Sequence, residues 1–320
     1  MIKITAFLIG FLILTCESVA QIIPGELQNI EGLVTFGKDS KTKFTDNDFS
    51  QTIYFVIREP HADTFHLRIF DPETSGTFDY RKNEYNSITK FEIYGGKGTY
   101  WDGSISSKNK ITGQNLLYQK EFGNSSMYDD KWYTLCSLPV SQGEYNSRFD
   151  GYIFKIICKG ISGDDGNFYK FYLSQSEDKN VSFDNSNFFC YQMICLLNNN
   201  TNTINHFFPY FDTVYNKLEI GIFGWNEFGM IRVNSFCQIG IKYSNIKNFQ
   251  WNLFEYTMID REEFNSLNVS LINNDNSKSG NQIVSIRLIG NASKYLVFFS
   301  DPLGGFPAYR YKIGPLPIDN

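Results

Sequence analysis

The sequence is poor in the residues that carry most enzyme chemistry. It contains three histidines, and none belongs to the H-E-x-x-H spacing of a zinc hydrolase. It has no C-x-x-C pair for a metal and no G-x-S-x-G turn for a nucleophilic serine. Gly95-Gly96-Lys97-Gly98 lacks the spacing of a phosphate-binding loop, so a turn between strands is the better interpretation. These absences exclude the common motif-based enzyme classes.

Long apolar runs are missing after the first residues. Met1-Ile2-Lys3 is a basic start, an apolar stretch follows to Leu14, and Ser18-Val19-Ala20 ends it with small residues. An apolar run of about 11 residues is too short to cross a ~30 Å hydrocarbon core as a helix. The pattern predicts a signal peptide over residues 1–20, cleaved after Ala20, and a secreted or periplasmic mature chain without a transmembrane segment.

The sequence also lacks an excess of positive charge. Its net charge is -5 at pH 7, and nucleic-acid binding requires a basic patch and a high pI. We therefore expect no nucleic-acid partner. A polysaccharide or a surface protein is the expected kind of partner.

Alternating apolar and polar residues run through the whole chain, as in strands with one buried face. The clearest apolar sets are Phe65/Leu67/Ile69, Phe154/Ile156/Cys158 and Val284/Ile286/Leu288. Turn-forming residues separate these stretches, and only Asp260 looks like a helix start. The pattern predicts an all-β protein of two tandem antiparallel β-sandwich (jelly-roll-like) domains.

The polar stretch 174–180 marks the predicted domain boundary. It follows a predicted hairpin, in which Tyr152–Lys159 and Phe168–Leu173 are joined by a Gly-rich turn. We therefore predict the first β-sandwich domain over residues 21–176 and the second over residues 177–320.

The first domain resembles the pre-peptidase C-terminal type of β-sandwich module found in secreted bacterial peptidases. The resemblance lies in Tyr54–Ile57, in Phe65–Asp71, in Gly151–Ile156 and in Tyr169–Leu173 after Ser162-Gly163. The whole chain also resembles exported tandem β-sandwich proteins of Bacteroidetes-type bacteria. These resemblances imply a non-catalytic accessory module, of a kind that calcium sometimes stabilises.

Acidic turns predict a calcium site, because calcium prefers hard oxygen ligands. The candidate ligands follow one strand and fill one Gly-rich turn: Asp71, Glu73, Asp79, Asp164 and Asp165. If the fold is a sandwich, both turns can lie at one end of the module. The alternative is plain turn chemistry, in which an aspartate binds its own backbone.

Exposed aromatic residues are the candidates for glycan binding. Tyr100 and Trp101 follow the Gly-rich turn at residues 95–98, and Trp101 is the best candidate among the tryptophans. The alternative for any aromatic side chain in a sandwich is core packing.

The cysteines after the predicted signal peptide are odd in number: Cys136, Cys158, Cys190, Cys195 and Cys237. The sequence specifies no disulfide pairing among them. Cys158 aligns with apolar residues, which predicts a buried thiol. Cys190 and Cys195 are expected on opposite faces of one strand, where they cannot bridge.

The sequence favours an exported, non-catalytic binding or accessory protein of the cell envelope or exterior. A carboxylate-based secreted hydrolase is the first alternative, because glycosidase chemistry needs only two carboxyl groups roughly 5–10 Å apart. A purely structural envelope protein is the second alternative.

Overall fold

The fold is taken from a computed structural model of the chain. It describes residues 22–41, 49–58, 63–100, 113–183, 186–198, 203–211, 217–223, 229–235, 237–238, 241–243, 251–257, 259, 262, 264–272, 282–289 and 296–300. The predicted signal peptide, Trp101 and the predicted helix start at Asp260 lie outside these residues.

The described residues form strands joined by turns, with two short 3₁₀ helices at Glu26–Gln28 and Val140–Gln142. The strands of the first half are β1 (Ile22–Ile23), β2 (Ile30–Phe36), β3 (Ser50–Ile57), β4 (Thr64–Phe70), β5 (Ile88–Gly95), β6 (Asn115–Phe122), β7 (Trp132–Pro139), β8 (Glu144–Asn146), β9 (Gly151–Ser162) and β10 (Gly166–Ser174). Those of the second half are β11 (Ser186–Cys190), β12 (Gln192–Leu197), β13 (Ile204–Phe207), β14 (Pro209–Phe211), β15 (Lys217–Phe223), β16 (Met230–Asn234), β17 (Ile241–Tyr243), β18 (Asn252–Thr257), β19 (Asn265–Ser266), β20 (Asn268–Ile272), β21 (Ile283–Ile289) and β22 (Leu296–Phe299).

The strand order is that of two jelly rolls. In the first half, one sheet runs β2-β10-β4-β7 and the other runs β3-β9-β5-β6. The second half repeats this order with β12-β21-β15-β18 and β13-β20-β16-β17. Most consecutive strands lie in opposite sheets, as the Greek-key connections of a jelly roll require. The predicted all-β, antiparallel class is confirmed.

Aromatic side chains fill the space between the two sheets of the first roll. Phe55 of β3 stacks on Phe154 of β9 with ring centroids 5.1 Å apart. Phe65 of the facing sheet meets these two rings at 5.3 Å and 4.8 Å. All three are fully buried. The predicted burial of Phe65, Leu67, Ile69, Phe154, Ile156 and Cys158 on inward faces is therefore confirmed.

One sheet runs through both rolls, and strands β11, β22, β14 and β19 extend the other sheet of the first roll, whereas β13-β20-β16-β17 is a separate sheet. β2 pairs with β10 on one side and with β12 on the other, and β3 lies between β9 and β11. The side chain of Gln51 reinforces this junction, since its Oε1 accepts the amide of Ile194 at 3.0 Å. The predicted boundary after residue 176 falls between β10 and β11. That the two halves form separate domains stays a prediction.

Two local predictions are wrong. β9 and β10 do not form a hairpin, because β9 pairs with β3 and β5 while β10 pairs with β2 and β4 in the other sheet. The Gly163 turn, at φ 81°, carries the chain from one sheet to the other. Cys190 and Cys195 lie on two strands, β11 and β12, instead of one. Both thiols are buried and free.

Candidate cation site

Three loops meet at one end of the first jelly roll. They are the β4–β5 loop (71–87), the β6–β7 loop (123–131) and the β9–β10 turn (163–165). The amide of Thr74 donates to the carbonyl of Gly123 at 2.7 Å. Tyr80 and Gly166 exchange backbone hydrogen bonds at 2.9 Å. The fold therefore brings together acidic residues that are distant in the sequence.

Asp71 lies at the centre of this loop cluster. It follows β4 in the left-handed region at φ 53°, and its side chain is fully buried. One carboxylate oxygen, Oδ1, accepts the amide of Asp130 at 3.0 Å. The other, Oδ2, is buried and has no hydrogen-bond partner among the described residues. Burying a carboxylate oxygen without a hydrogen-bond partner costs free energy. A bound cation or a proton on this oxygen would remove that cost.

The absence of a side chain at Gly76 leaves space for the Asp71 carboxylate. A Cβ atom at this position would lie 2.3 Å from Oδ2 and 2.4 Å from Oδ1 of Asp71. Any larger side chain would push the carboxylate away.

More carboxylates surround Asp71. Glu73 is nearly buried and accepts the amide of Tyr128 at 2.8 Å. Asp129 accepts the Ser75 hydroxyl at 2.6 Å through Oδ2, while its Oδ1 is buried without a partner in the described residues. Asp130 accepts the hydroxyl of Thr77 at 2.8 Å. The loop contacts therefore hold acidic side chains close together.

This arrangement raises the pKa of Asp71 to about 7. Burial is the largest cause, and the amide of Asp130 opposes it. The charges of Asp130, Asp129 and Glu73 raise the pKa further. One cation, Lys170, interacts with Asp71, but burial lowers the pKa of Lys170, whose amine also lies 3.9 Å from Glu31.

Asp79 braces the loop instead of presenting free oxygens. Its Oδ1 accepts the amide of Phe168 at 2.6 Å, and its Oδ2 accepts the amide of Gly76 at 2.8 Å. Burial raises the pKa of Asp79 to about 9, against these two amides and together with the charges of Asp71 and Asp129. We therefore place Asp79 beside the candidate site and not among the ligands.

Two neutral side chains add oxygens without partners. Asn167 is fully buried, and its amide nitrogen donates to the carbonyl of Pro72 at 2.8 Å. Its Oδ1 has no partner among the described residues, and neither does the hydroxyl of the buried Thr74. Within the described part of the chain, Asp71, Asp129, Asn167 and Thr74 thus each carry an oxygen that lacks a partner.

Asp164 and Asp165 are held in the neighbouring turn. Asp165 is fully buried and accepts the amides of Lys82 and Asn86 at 3.0 Å and 2.9 Å. Asp164 accepts the side-chain amide of Asn83 at 3.1 Å. Asp165 therefore binds the backbone of the β4–β5 loop instead of the backbone of its own turn.

The donor set decides which metal fits. Among the described residues, no three histidine, cysteine, aspartate or glutamate side chains converge as metal ligands. A cation at Asp71 would take part of its ligands from amide, hydroxyl or backbone oxygens. Calcium accepts this mixture, whereas zinc prefers nitrogen and sulfur ligands.

Tyr100 follows the C-terminal end of β5, at the end of the first roll opposite to Asp71. Its ring meets the rings of Tyr54 at 5.9 Å and Phe149 at 5.6 Å, and its hydroxyl accepts from Tyr191 at 3.2 Å. The ring is half-buried in this aromatic cluster, so packing accounts for much of it. Glycan binding through Tyr100 and Trp101 stays a prediction.

Sequence reasoning missed Asp129, Asp130, Asn167 and Thr74. The Asp129-Asp130 pair lies in a polar turn and offered a signal by composition. Asn167 and Thr74 offered none, because their role depends on burial beside Asp71.

No protein-family model and no curated protein matches the chain. Among solved structures, the VP2 subviral particle of infectious bursal disease virus is 10% identical, covers 85% of this chain and 77% of its own, and has a TM-score of 0.17. A second solved structure is that of a protein from Parabacteroides distasonis that is described as inferred to be secreted. It is 9% identical, the match covers 86% of this chain and 93% of that one, and the TM-score is 0.20. These scores carry no argument about this chain.

The pre-peptidase resemblance stays a prediction. In the described part of the chain, no helix has the length and apolar content that crossing a membrane requires.

Proposed function

We propose that the protein is an exported, non-catalytic accessory or binding protein whose first jelly roll is stabilised by calcium. The observation that carries the proposal is the fully buried Asp71 carboxylate with one oxygen lacking a partner, beside Asp129 and Glu73. A divalent cation bound at Asp71 would offset the charge of this carboxylate and give its Oδ2 a partner.

Calcium fits this position better than magnesium. Calcium takes six to eight oxygens in a flexible geometry, including carbonyl and amide oxygens. Magnesium demands a nearly ideal octahedron and retains water. Asp71, Asn167 and Thr74 are fully buried, so a bound ion would have to exchange its water for protein oxygens, which calcium does more readily than magnesium.

The burial of the carboxylates argues against the hydrolase alternative at this position. A glycosidase carboxylate must touch its sugar, whereas Asp71 is fully buried and Asp79 is 5% exposed. The buried cysteines give no support to thiol catalysis either. Burial raises the pKa of Cys136 and of Cys158 to about 12, so both thiols stay protonated at neutral pH.

The proposed partner is a polysaccharide or a surface protein in the compartment to which the predicted signal peptide directs the chain. The loop end around Asp71 supports such a role, because loops positioned by a rigid sandwich are the usual place for binding.

The test is a thermal melt of residues 21–320 in calcium, in magnesium and in a chelator. Calcium at about 100 times its Kd adds ~2.7 kcal/mol to the free energy of unfolding. For a chain of this size this raises the melting temperature by roughly 5–10 °C. We expect Asp71→Asn to remove the shift.

Asp150→Asn is the matched control. Asp150 has nearly the same backbone conformation, at φ 48°, and lies before β9 at the opposite end of the roll. It should keep the full calcium shift. An equal response of both variants, or no calcium shift in the unmodified chain, contradicts the calcium proposal.

A further inference from the structure

A second polar cluster lies in the C-terminal jelly roll, on the sheet β13-β20-β16-β17. Its strands are in register such that His206 is opposite Ser270, Ser270 is opposite Arg232, and Arg232 is opposite Lys242. Residues in register across adjacent strands point to the same side of a sheet. His206, Ser270 and Arg232 therefore form one cross-strand row, which we call the basic row.

The basic row lies on the outer face of this sheet. The residues next to it along the strands, Phe207, Val269, Ile231 and Val233, are buried in the main apolar core. Because side chains alternate along a strand, the row points away from that core.

Hydrogen bonds fix the histidine end of the basic row. His206 Nδ1 lies 3.0 Å from Asn268 Oδ1. Since an amide oxygen only accepts, Nδ1 carries the proton and donates it. The Ser270 hydroxyl lies 3.2 Å from the same amide oxygen and 3.3 Å from His206 Nδ1. Asn268 thus orients both side chains.

Arg232 has no anionic partner in the described part of the chain. Its Nε is buried and donates to none of the described residues. An unsatisfied buried donor is costly, and more so when the group is charged. The charge of Arg232 also lowers the pKa of the neighbouring His206, after the larger effect of burial and against the hydrogen bond to Asn268. The positive charge of Arg232 therefore has no counter-ion among the described residues, in a chain of net charge -5.

We propose that the basic row binds an oxyanion group of a ligand, such as a sulfate, phosphate or carboxylate. The Arg232 guanidinium supplies the fork that such groups accept in pairs of hydrogen bonds. Ser270 is opposite Arg232 in register and is fully buried, so it supports the guanidinium from below. This site is distinct from the Asp71 cluster and does not depend on calcium.

The test is an NMR titration of residues 21–320 with sulfate, phosphate and glucuronate, at constant ionic strength. We expect a saturable shift of the Arg232 Nε–Hε signal with at least one of these anions. Comparing the three anions distinguishes tetrahedral from carboxylate ligands. A linear, non-saturating response to all three overturns the proposal.

Variants make the test specific. Arg232→Gln should lower the apparent affinity for the binding anion at least tenfold. At low millimolar anion concentration it should therefore lose the rise in melting temperature that the anion produces. Arg148→Gln, at an exposed position in the first roll, should keep it. Should Arg232→Gln fail to fold, Ser270→Ala should weaken the saturable Arg232 signal change. If these variants respond to the anion as the unmodified chain does, the effect is general salt stabilisation and the proposal is wrong.

Discussion

At the residue scale, burial separates side chains of the same type into different roles. Asp79 gives both its oxygens to backbone amides, whereas Asp71 keeps one oxygen without a partner in the described residues. Lys155 is a second case, since it is 6% exposed on the outer face of β9. Its amine donates to the Gln114 side chain and lies 4.8 Å from the Tyr94 ring centroid.

Lys155 makes a prediction about pH. Burial lowers its pKa to about 8, although Glu144 and Glu92 raise it. An unfolded lysine titrates near ~10.4, so between these values the folded state binds fewer protons than the unfolded state. This group therefore makes the folded state more stable as the pH rises from 8 to about 10. Below pH 8 the buried amine of Lys155 is charged in the folded state, and this charge lowers the free energy of unfolding.

We expect Lys155→Met to remove this pH-dependent gain. Relative to the variant, the unmodified chain should gain a few degrees in melting temperature between pH 7 and pH 10. Lys159→Met, an exposed position on the same strand, is the control and should follow the unmodified chain. A constant difference between the unmodified chain and Lys155→Met at all pH values would refute the prediction.

At the element scale, the close approach of strands depends on missing side chains. Gly32 on β2 faces β10 of the same sheet. A Cβ atom there would lie 2.2 Å from the Phe168 ring and 2.9 Å from the carbonyl oxygen of Tyr169. Phe168 is fully buried, so a shift of its ring would disturb the side chains packed around it.

Gly32→Ala should therefore destabilise the protein. Overpacking of a buried site costs about 1–3 kcal/mol, which corresponds to a loss of roughly 2–10 °C in melting temperature. Gly123→Ala is the matched control, because a Cβ atom there meets nothing within 4 Å. Equal melting temperatures for the two variants would show that β2 and β10 adjust to each other.

At the scale of the whole molecule, strands of the second half continue both sheets of the first jelly roll. Leu33 of β2 pairs with Cys195, and Phe55 of β3 pairs with Phe188. Cutting the chain after residue 176 would leave β2 and β3 with unpaired edges, which promote association.

We expect residues 21–176 alone to melt well below residues 21–320 and to self-associate. Differential scanning calorimetry of both chains measures the first effect, and size-exclusion chromatography measures the second. The full chain should unfold in one transition. A monomeric fragment that melts at the same temperature as the full chain would establish two independent domains instead.

Much of the fold was determined by the sequence itself. Alternation within strands places Phe65, Leu67 and Ile69 inside, because one face of each strand must be buried. Sheet partners were not determined in this way: β9 and β10 look like a hairpin but lie in opposite sheets. Alternation is a local property, whereas pairing depends on contacts between distant segments.

The candidate cation site, too, was predictable from the sequence only in part. The acidic turn after β4 was evident from Asp71 and Glu73 in the sequence, because aspartate and glutamate between strands mark a turn. Tertiary structure alone joined Asp129 and Asn167 to Asp71 and left their oxygens buried without partners. Burial and the loss of water contacts arise only when distant loops pack together, and they are what makes a carboxylate a candidate ligand instead of a solvated turn residue.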